Sequence, residues 1–324
     1  MKVFILTEGG KEIGFGHLTR CIALSQAIKY EKPGVDIKFI FKGDKKASKF
    51  LEYQGINGKR FNWIDNNTKI IEKVKGDDHI IIDSYLASFK IYKAFSDKVD
   101  RKLIMIDDYN RIKYPPGIVV NPSIYGDRLD YPENASITYL LDKEYIILRR
   151  EFWEVPDKEI KKEVKNIVIT FGGKDFLDLV RKIKKELQTQ YDYDSTVINT
   201  AKKRYTAHEM LDFMLKADIC ISGGGQTTYE LARIGVPTIG ICFAENQKLN
   251  LKYGEVTGYL KWAGYKGDKE LLYKILRKVE KMCSGAERRK LKECGKNNID
   301  GRGAIRLAKY FLNNENKTGR KKRL

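Results

Sequence analysis

Short unbroken apolar runs recur along the chain and alternate with amphipathic stretches. Val3-Phe4-Ile5-Leu6 is the first run, and Ile80-Ile81-Ile82, Leu103–Ile106 and Ile118-Val119-Val120 follow. Ile167–Phe171, Ile219–Ser222 and Thr238–Cys242 repeat the pattern further on. Runs of this length without polar alternation are strands covered on both faces, as in a parallel sheet. Shorter or more polar strands are expected at 35–41, 61–64 and 196–198. Between the runs, apolar positions fall at helical spacing: Leu18, Cys21, Ile22, Leu24 and Ile28 predict a helix over 18–30. Further helices are expected at 45–53, 68–74, 88–96, 176–188, 208–216, 229–234, 247–256, 268–283 and 286–296, with a last one reaching about Leu312. Strand, helix, strand repetition defines an α/β protein.

The repetition is interrupted once. A loop rich in Tyr, Pro and Asn leads to Tyr145–Phe152, and a charged segment with Pro156 follows at 155–164. That composition marks a domain boundary. The expected layout is an N-terminal Rossmann-like domain at 1–152 and a second one at 153–298. A C-terminal helix at 299–312 packs back on the first, and a basic, disordered tail occupies 313–324.

Two loops carry candidate chemistry. Thr7–Arg20 runs from the first strand through Gly14-Phe15-Gly16 into the first helix and contains His17, one of three histidines. Backbone N–H groups at a helix start suit an anion, and an imidazole there can take a proton near neutral pH. A helix N-terminus disfavours the charged ring. Thr19 stands where the dinucleotide fingerprint needs its third glycine, so the loop is a poor NAD site. The second loop, Ser222-Gly223-Gly224-Gly225-Gln226-Thr227, lies between a strand and a helix. Its glycines admit a pyrophosphate, and Glu230, one turn into the helix, can reach paired ribose hydroxyls. Polar residues close the other strands: Asp83, Ser84, Tyr85, Asp107, Asp108 and Asn121. In open parallel sheets that edge binds ligands, although Asp and Asn there also serve as turn and cap residues.

Composition narrows the class. Hydrophobic residues make up 42%, enough for packed cores. No run approaches the ~20 apolar residues of a membrane span, and Met1-Lys2 leads straight into a strand, so no secretory signal is expected. Five cysteines without a CxxC pair point to a reducing, cytoplasmic setting. The formal net charge of +19 invites a nucleic-acid reading. The lysines are instead spread among Asp and Glu along the whole chain, as on solvated helix faces. No specific nucleic-acid partner is expected; an anionic small substrate, or peripheral contact with an acidic membrane, fits the charge equally. P-loop, HExxH and GxSxG patterns are absent. Asp192-Tyr193-Asp194 matches a DxD metal motif but lies in a polar connection. Neither a metal nor a cofactor is expected, and a monomer suffices.

Several motifs, taken together and in order, resemble a known family. They are Ile13-Gly14-Phe15-Gly16-His17 with Arg20, Ile81-Ile82-Asp83 with Tyr85, Ile106-Asp107-Asp108, and Tyr145 with Leu148, Arg149, Glu151 and Phe152. Gly172-Gly173 with Asp175, the 222–230 loop and Asn246-Gln247 complete the set. The sequence resembles the UDP-sugar hydrolases of pseudaminic acid biosynthesis and the related spore-coat polysaccharide proteins, over roughly residues 1–260. Asp300-Gly301-Arg302-Gly303-Ala304 fits longer members. The second half is also similar to the transferase that adds N-acetylglucosamine to lipid I. The resemblance implies the GT-B fold, two Rossmann-like domains facing across a cleft. It implies hydrolysis of UDP-2,4-diacetamido-2,4,6-trideoxy-β-L-altropyranose, with water as acceptor and UDP as leaving group. His17 matches the family's general base, Tyr85 and Asn246 match sugar-site positions, the 223–228 loop would hold the pyrophosphate, and Glu230 the ribose. Gly14, Gly16, Arg20, Asp83, Asp107, Arg149, Gly173, Ser222 and Gln247 fall in the same motifs and are candidate substrate contacts. Two departures stand out: Ser84 replaces a histidine that some members carry, and the chain continues past the shorter ones. A GT-B glycosyltransferase of surface polysaccharide synthesis is the alternative, and a non-catalytic nucleotide-sugar binding module a third reading.

Overall fold

The computed structural model describes residues 2–99, 102–171, 176–200, 203 and 205–313. The chain divides into two compact units: Met1–Arg150 together with the chain from Arg302, and Glu151–Gly301.

Unit 1 contains a seven-stranded sheet. Its strands are β1 (Lys2–Gly9), β2 (Asp36–Gly43), β3 (Gly58–Arg60), β4 (His79–Asp83), β5 (Leu103–Ile106), β6 (Gly117–Asn121) and β7 (Ile137–Leu141). Their spatial order is β3-β2-β1-β4-β5-β6-β7, and every pairing is parallel. The connecting helices are α1 (Gly16–Glu31), α2 (Lys45–Tyr53), α3 (Thr68–Ile71) and α4 (Phe89–Val99). The chain runs outward from β1 to β2 and β3, then returns to lay β4 on the other flank of β1. That reversal opens a crevice at the carboxyl ends of β1 and β4, where parallel sheets bind ligands.

Unit 2 repeats the plan with five strands: β8 (Asn166–Thr170), β9 (Asp194–Ile198), β10 (Ile219–Gly223), β11 (Thr238–Cys242) and β12 (Leu260–Tyr265). Their order is β12-β11-β10-β8-β9, again all parallel. Its reversal lies between β8 and β10. The helices are α5 (Leu177–Tyr191), α6 (Ala207–Lys216), α7 (Thr227–Ile234), α8 (Lys248–Thr257), α9 (Leu271–Lys281) and α10 (Gly285–Asn298). Thr206 and Glu209 form a capping box that starts α6, each side chain taking the other's backbone N–H.

α11 (Gly303–Asn313) belongs to unit 1 and lies across α1. This explains why α1 is buried on nearly all sides, with Leu18, Cys21–Ser25, Ala27 and Ile28 inside. A side chain at Gly303 would strike the backbone of Ile146, with a Cβ only 2.2 Å from its carbonyl oxygen. Glycine lets the two segments touch.

Four elements differ from the sequence expectation. The third strand is Gly58–Arg60 rather than 61–64, and β7 and β12 were not expected at all. The helix expected over 68–74 is a single turn, Thr68–Ile71. The tail expected at 313–324 lies, beyond Asn313, outside the described residues.

Candidate active site

In unit 1 the site starts at the end of β1. Thr7 pairs in register with Asp83, so the next residue, Glu8, lies level with the start of the β4–α4 loop. There its carboxylate accepts from Ser84 Oγ at 2.5 Å and from the Tyr85 backbone N–H at 2.7 Å. Trp63 Nε1 donates to the Thr7 carbonyl at 2.8 Å and anchors the strand end. The following loop closes on itself through a pair of backbone hydrogen bonds between Gly10 and Gly14. Gly14 sits at φ +90°, a backbone state that glycine adopts without strain. Gly16 then opens α1 and delivers His17 and Arg20 to the crevice.

Arg20 is buried between two carboxylates. Its Nε and Nη2 reach Asp83 at 2.8 and 2.7 Å, and its Nη1 and Nη2 reach Asp108 at 2.5 and 3.1 Å. Burial alone would lower the guanidinium pKa, but the Asp108 and Asp83 charges outweigh it and raise it. Burial works to raise the Asp108 pKa, and Arg20 reverses that and holds it below the usual carboxylate range. The Tyr85 hydroxyl donates to Asp108. Burial and then the Asp108 charge push the phenol pKa far upward, so Tyr85 stays a neutral donor.

The His17 ring meets the Tyr85 ring edge-on, centroids 4.3 Å apart. Its Nδ1 lies 3.6 Å from Glu8 Oε1 and has no hydrogen-bond partner. Arg20 pairs with Asp83 and Asp108, and Glu8 lies beside His17; a second guanidinium, Arg111, donates through Nη2 to the Ser84 and Ala87 carbonyls at 3.3 and 2.7 Å, so acids outnumber cations around the imidazole. Such a cluster suits a proton-accepting imidazole or a sugar carbon gaining positive charge, and repels a diphosphate.

The neighbouring Asp107 is occupied elsewhere. Its Oδ2 accepts from Tyr131 Oη at 2.6 Å, and its Oδ1 takes the Arg111 backbone N–H at 3.2 Å. It shapes the loop after β5, while Asp108 faces Arg20. Arg149 is half-buried near the end of unit 1's first segment.

The second set of candidates lies in unit 2. Ser222 and Gly223 end β10, Gly224 and Gly225 turn, Gln226 occupies the N-cap position of α7 without a side-chain cap bond, and Thr227 begins the helix. Ser222 Oγ is turned to the Gly223 carbonyl at 3.0 Å. Asn250 holds the loop from α8: its side-chain N–H groups reach the Gly224 carbonyl at 2.9 Å and Thr228 Oγ1 at 2.8 Å, and Thr228 Oγ1 in turn donates to the Gly225 carbonyl at 2.8 Å. The Gly224 N–H donates to the Ile241 carbonyl at 3.1 Å and the Thr228 N–H to the Gly225 carbonyl at 3.0 Å, and the start of α7 between them favours an anion. Glu230 is buried in the first turn of α7. Gln247 accepts the Phe243 N–H at 2.9 Å, and Asn246 is exposed.

The structure thus brings Gly14, Gly16, His17, Arg20, Asp83 and Tyr85 together in unit 1, and Ser222 through Glu230 with Gln247 in unit 2. Gly173 lies outside the described residues. Glu8 and Asn250 fall outside the residues singled out from the sequence, whereas Asp108 is one of the strand-edge acids named there. Glu8 gave a faint signal, a lone acid closing an apolar strand just before glycines; Asn250 gave none. Asp192, of the DxD motif, ends α5 in the left-handed conformation and accepts from Gln188 at 2.8 Å.

Two parallel α/β sheets with reversal-point loops define the GT-B fold, and solved structures bear this out. Acinetobacter baumannii MurG matches with a TM-score of 0.64 at 12% identity, over 96% of this chain and 99% of its own. The S. aureus MnaA–UDP co-structure matches with a TM-score of 0.64 at 14% identity, over 99% and 100%. Residues 151–301, the extent of unit 2, match the glycosyltransferase family 28 C-terminal domain.

The relatives by sequence are more specific. The spore coat polysaccharide biosynthesis protein SpsG of Bacillus subtilis is 25% identical over 95% of this chain and 96% of its own length. The pseudaminic acid cytidylyltransferase and UDP-2,4-diacetamido-2,4,6-trideoxy-β-L-altropyranose hydrolase of Helicobacter pylori is 27% identical over 82% of this chain and 49% of its own. An uncharacterized protein of Methanocaldococcus jannaschii is 28% identical over 76% and 57%. The chain therefore spans about half the length of those last two relatives. It is an enzyme-like GT-B chain whose homologues include a nucleotide-sugar hydrolase. Among the described residues no helix is long and apolar enough to cross a membrane.

Proposed function

We propose that this protein hydrolyses a UDP-linked deoxyamino sugar, UDP-2,4-diacetamido-2,4,6-trideoxy-β-L-altropyranose or a close relative. The observation that carries the reading is the acidic cluster around His17: a base, a neutral phenol donor and a surplus of carboxylates suit a sugar and water, and disfavour phosphate. The hydrolase named for the H. pylori relative supports it. In this mechanism His17 takes a proton from water as the water oxygen bonds to the anomeric carbon. The bond from that carbon to the phosphate oxygen breaks, and UDP leaves with the electron pair. UDP is a good leaving group, so its departure needs charge stabilisation more than a strong acid. The Gly223–Thr228 loop at the start of α7 supplies that, and Glu230 binds the ribose hydroxyls.

The test is turnover of that UDP-sugar in oxygen-18 water with no acceptor present. The reading expects UDP and a free sugar in equal amounts, with the label in the sugar. Label in the UDP would mean attack at phosphorus and would overturn the mechanism.

The match of residues 151–301 to a glycosyltransferase domain favours a second reading. There the same UDP site serves an acceptor hydroxyl in surface polysaccharide synthesis. UDP release only after addition of an acceptor would select it.

A further inference from the structure

We infer that Glu8 is the positioning residue for His17. Its carboxylate fixes Nδ1 as the protonated ring nitrogen, leaves Nε2 as the proton acceptor, and provides the counter-charge for the imidazolium formed in the reaction. The inference rests on the reading of His17 as general base.

Two features of the site complement each other. Glu8 is fully buried, and the donors it receives, Ser84 Oγ and the Tyr85 N–H, are both neutral. Arg20 spends its donors on Asp83 and Asp108, and Arg111 Nη2 donates to the Ser84 and Ala87 carbonyls. His17 Nδ1 is buried without a hydrogen-bond partner, 3.6 Å from Glu8 Oε1. A shift of about half an ångström brings the pair within hydrogen-bonding range.

The two groups come from independent supports. Strand β1 and the β4–α4 loop hold the carboxylate, and α1 holds the imidazole. The Tyr85 ring packs edge-on against the imidazole, centroids 4.3 Å apart. An imidazole whose Nδ1–H faces a carboxylate keeps a basic Nε2, and which nitrogen carries the proton is set by the partner of the other. Glu8 touches neither water nor sugar in this scheme; it acts through His17.

The experiment uses the full chain labelled with nitrogen-15 histidine, read by long-range proton–nitrogen spectra at about pH 8, where a histidine ring is ordinarily neutral. The three histidines are assigned by His17→Asn, His79→Gln and His208→Gln. Wild type is expected to show His17 protonated at Nδ1 alone. Glu8→Gln should shift His17 toward the other tautomer and lower kcat for UDP release at least ~10-fold, with KM changing less than ~2-fold. Glu8→Asp should recover part of the rate. A wild-type ring protonated at Nε2 overturns the inference. So does a Glu8→Gln protein in which the tautomer moves without the rate, or the rate without the tautomer. Should Glu8→Gln fail to fold, the wild-type tautomer decides alone. If His17→Asn retains full activity, the base assignment falls, and the spectra still report whether Glu8 sets the ring.

Discussion

Arg20 serves two carboxylates, and that ratio decides what its loss would do. Arg20→Ala leaves Asp83 buried without a cation. Breaking a buried pair from one side typically costs ~3–5 kcal/mol, and urea unfolding of the variant should show a loss of that size. The same pair gives an acid sensitivity. Asp108 binds its proton more weakly folded than unfolded, because Arg20 holds its pKa down. The unfolded chain therefore takes up more protons, and stability rises with pH in that range. The contribution is complete above the ordinary carboxylate value near ~4 and is lost as pH falls through the folded value. Asp108→Asn should flatten this acid limb in thermal melts taken from about pH 6 downward; an unchanged limb would exclude the pair as its source. His17→Asn should lower kcat by ~10²–10⁴ with UDP affinity preserved, as read by initial rates beside UDP titration. His17, Arg20 and Asp83 were visible in the sequence because a loop and a strand end frame them. The choice of Asp108 over Asp107 was not, since two adjacent acids at a strand end point to opposite sides and only the fold decides which side is the crevice.

At the scale of the element, the glycine loops separate packing from binding. A Cβ on Gly224 would come within 2.6 Å of Leu251, so packing already requires glycine there. A Cβ on Gly225 would meet only Gln247 Nε2, at 3.9 Å, and one on Gly16 would meet nothing within 4 Å. Neither needs a left-handed backbone. Gly224→Ala should therefore cost ~1–3 kcal/mol of stability, as overpacking does. Gly225→Ala should leave the melting temperature unchanged and weaken UDP binding, because its space is open for a ligand. A Gly225→Ala protein with wild-type UDP affinity would remove the loop from the nucleotide site. The limits of the sequence are also those of elements. The inner strands β4, β5, β10 and β11 are buried on both faces and read as apolar runs. β3, β7 and β12 are edge strands. Gly58-Lys59-Arg60 and Leu260-Lys261-Trp262-Ala263-Gly264-Tyr265 carry exposed or half-exposed positions, so no apolar run marks them. An edge strand is recruited by the sheet beside it, and that neighbour is a tertiary fact.

For the whole molecule, the order of the chain through its two units is the deciding feature. Unit 2 is one continuous segment, Glu151–Gly301, with its own apolar core built on β8, β10 and β11. Unit 1 is discontinuous, because α11 returns from the far end of the chain to cover α1. The two units should therefore tolerate excision differently. Residues 151–301 expressed alone should fold cooperatively and bind UDP, since Asn250, Thr228 and the 222–227 loop all lie within them. Residues 1–150 alone should be aggregation-prone or loosely folded. Without α11, the faces of Ala304, Ile305, Leu307, Ala308 and Phe311 are missing, and the outer side of α1 and the His79 ring meet solvent. Adding residues 302–313 as a separate peptide should restore part of the cooperative melt. Circular dichroism melts and calorimetric UDP titration of the three preparations check this. A well-folded 1–150 fragment would show that α11 is an accessory to unit 1 and not part of its core. A 151–301 fragment that folds but ignores UDP would place the determinants of nucleotide binding outside unit 2, and the roles proposed for the glycine loop and Glu230 would go with them.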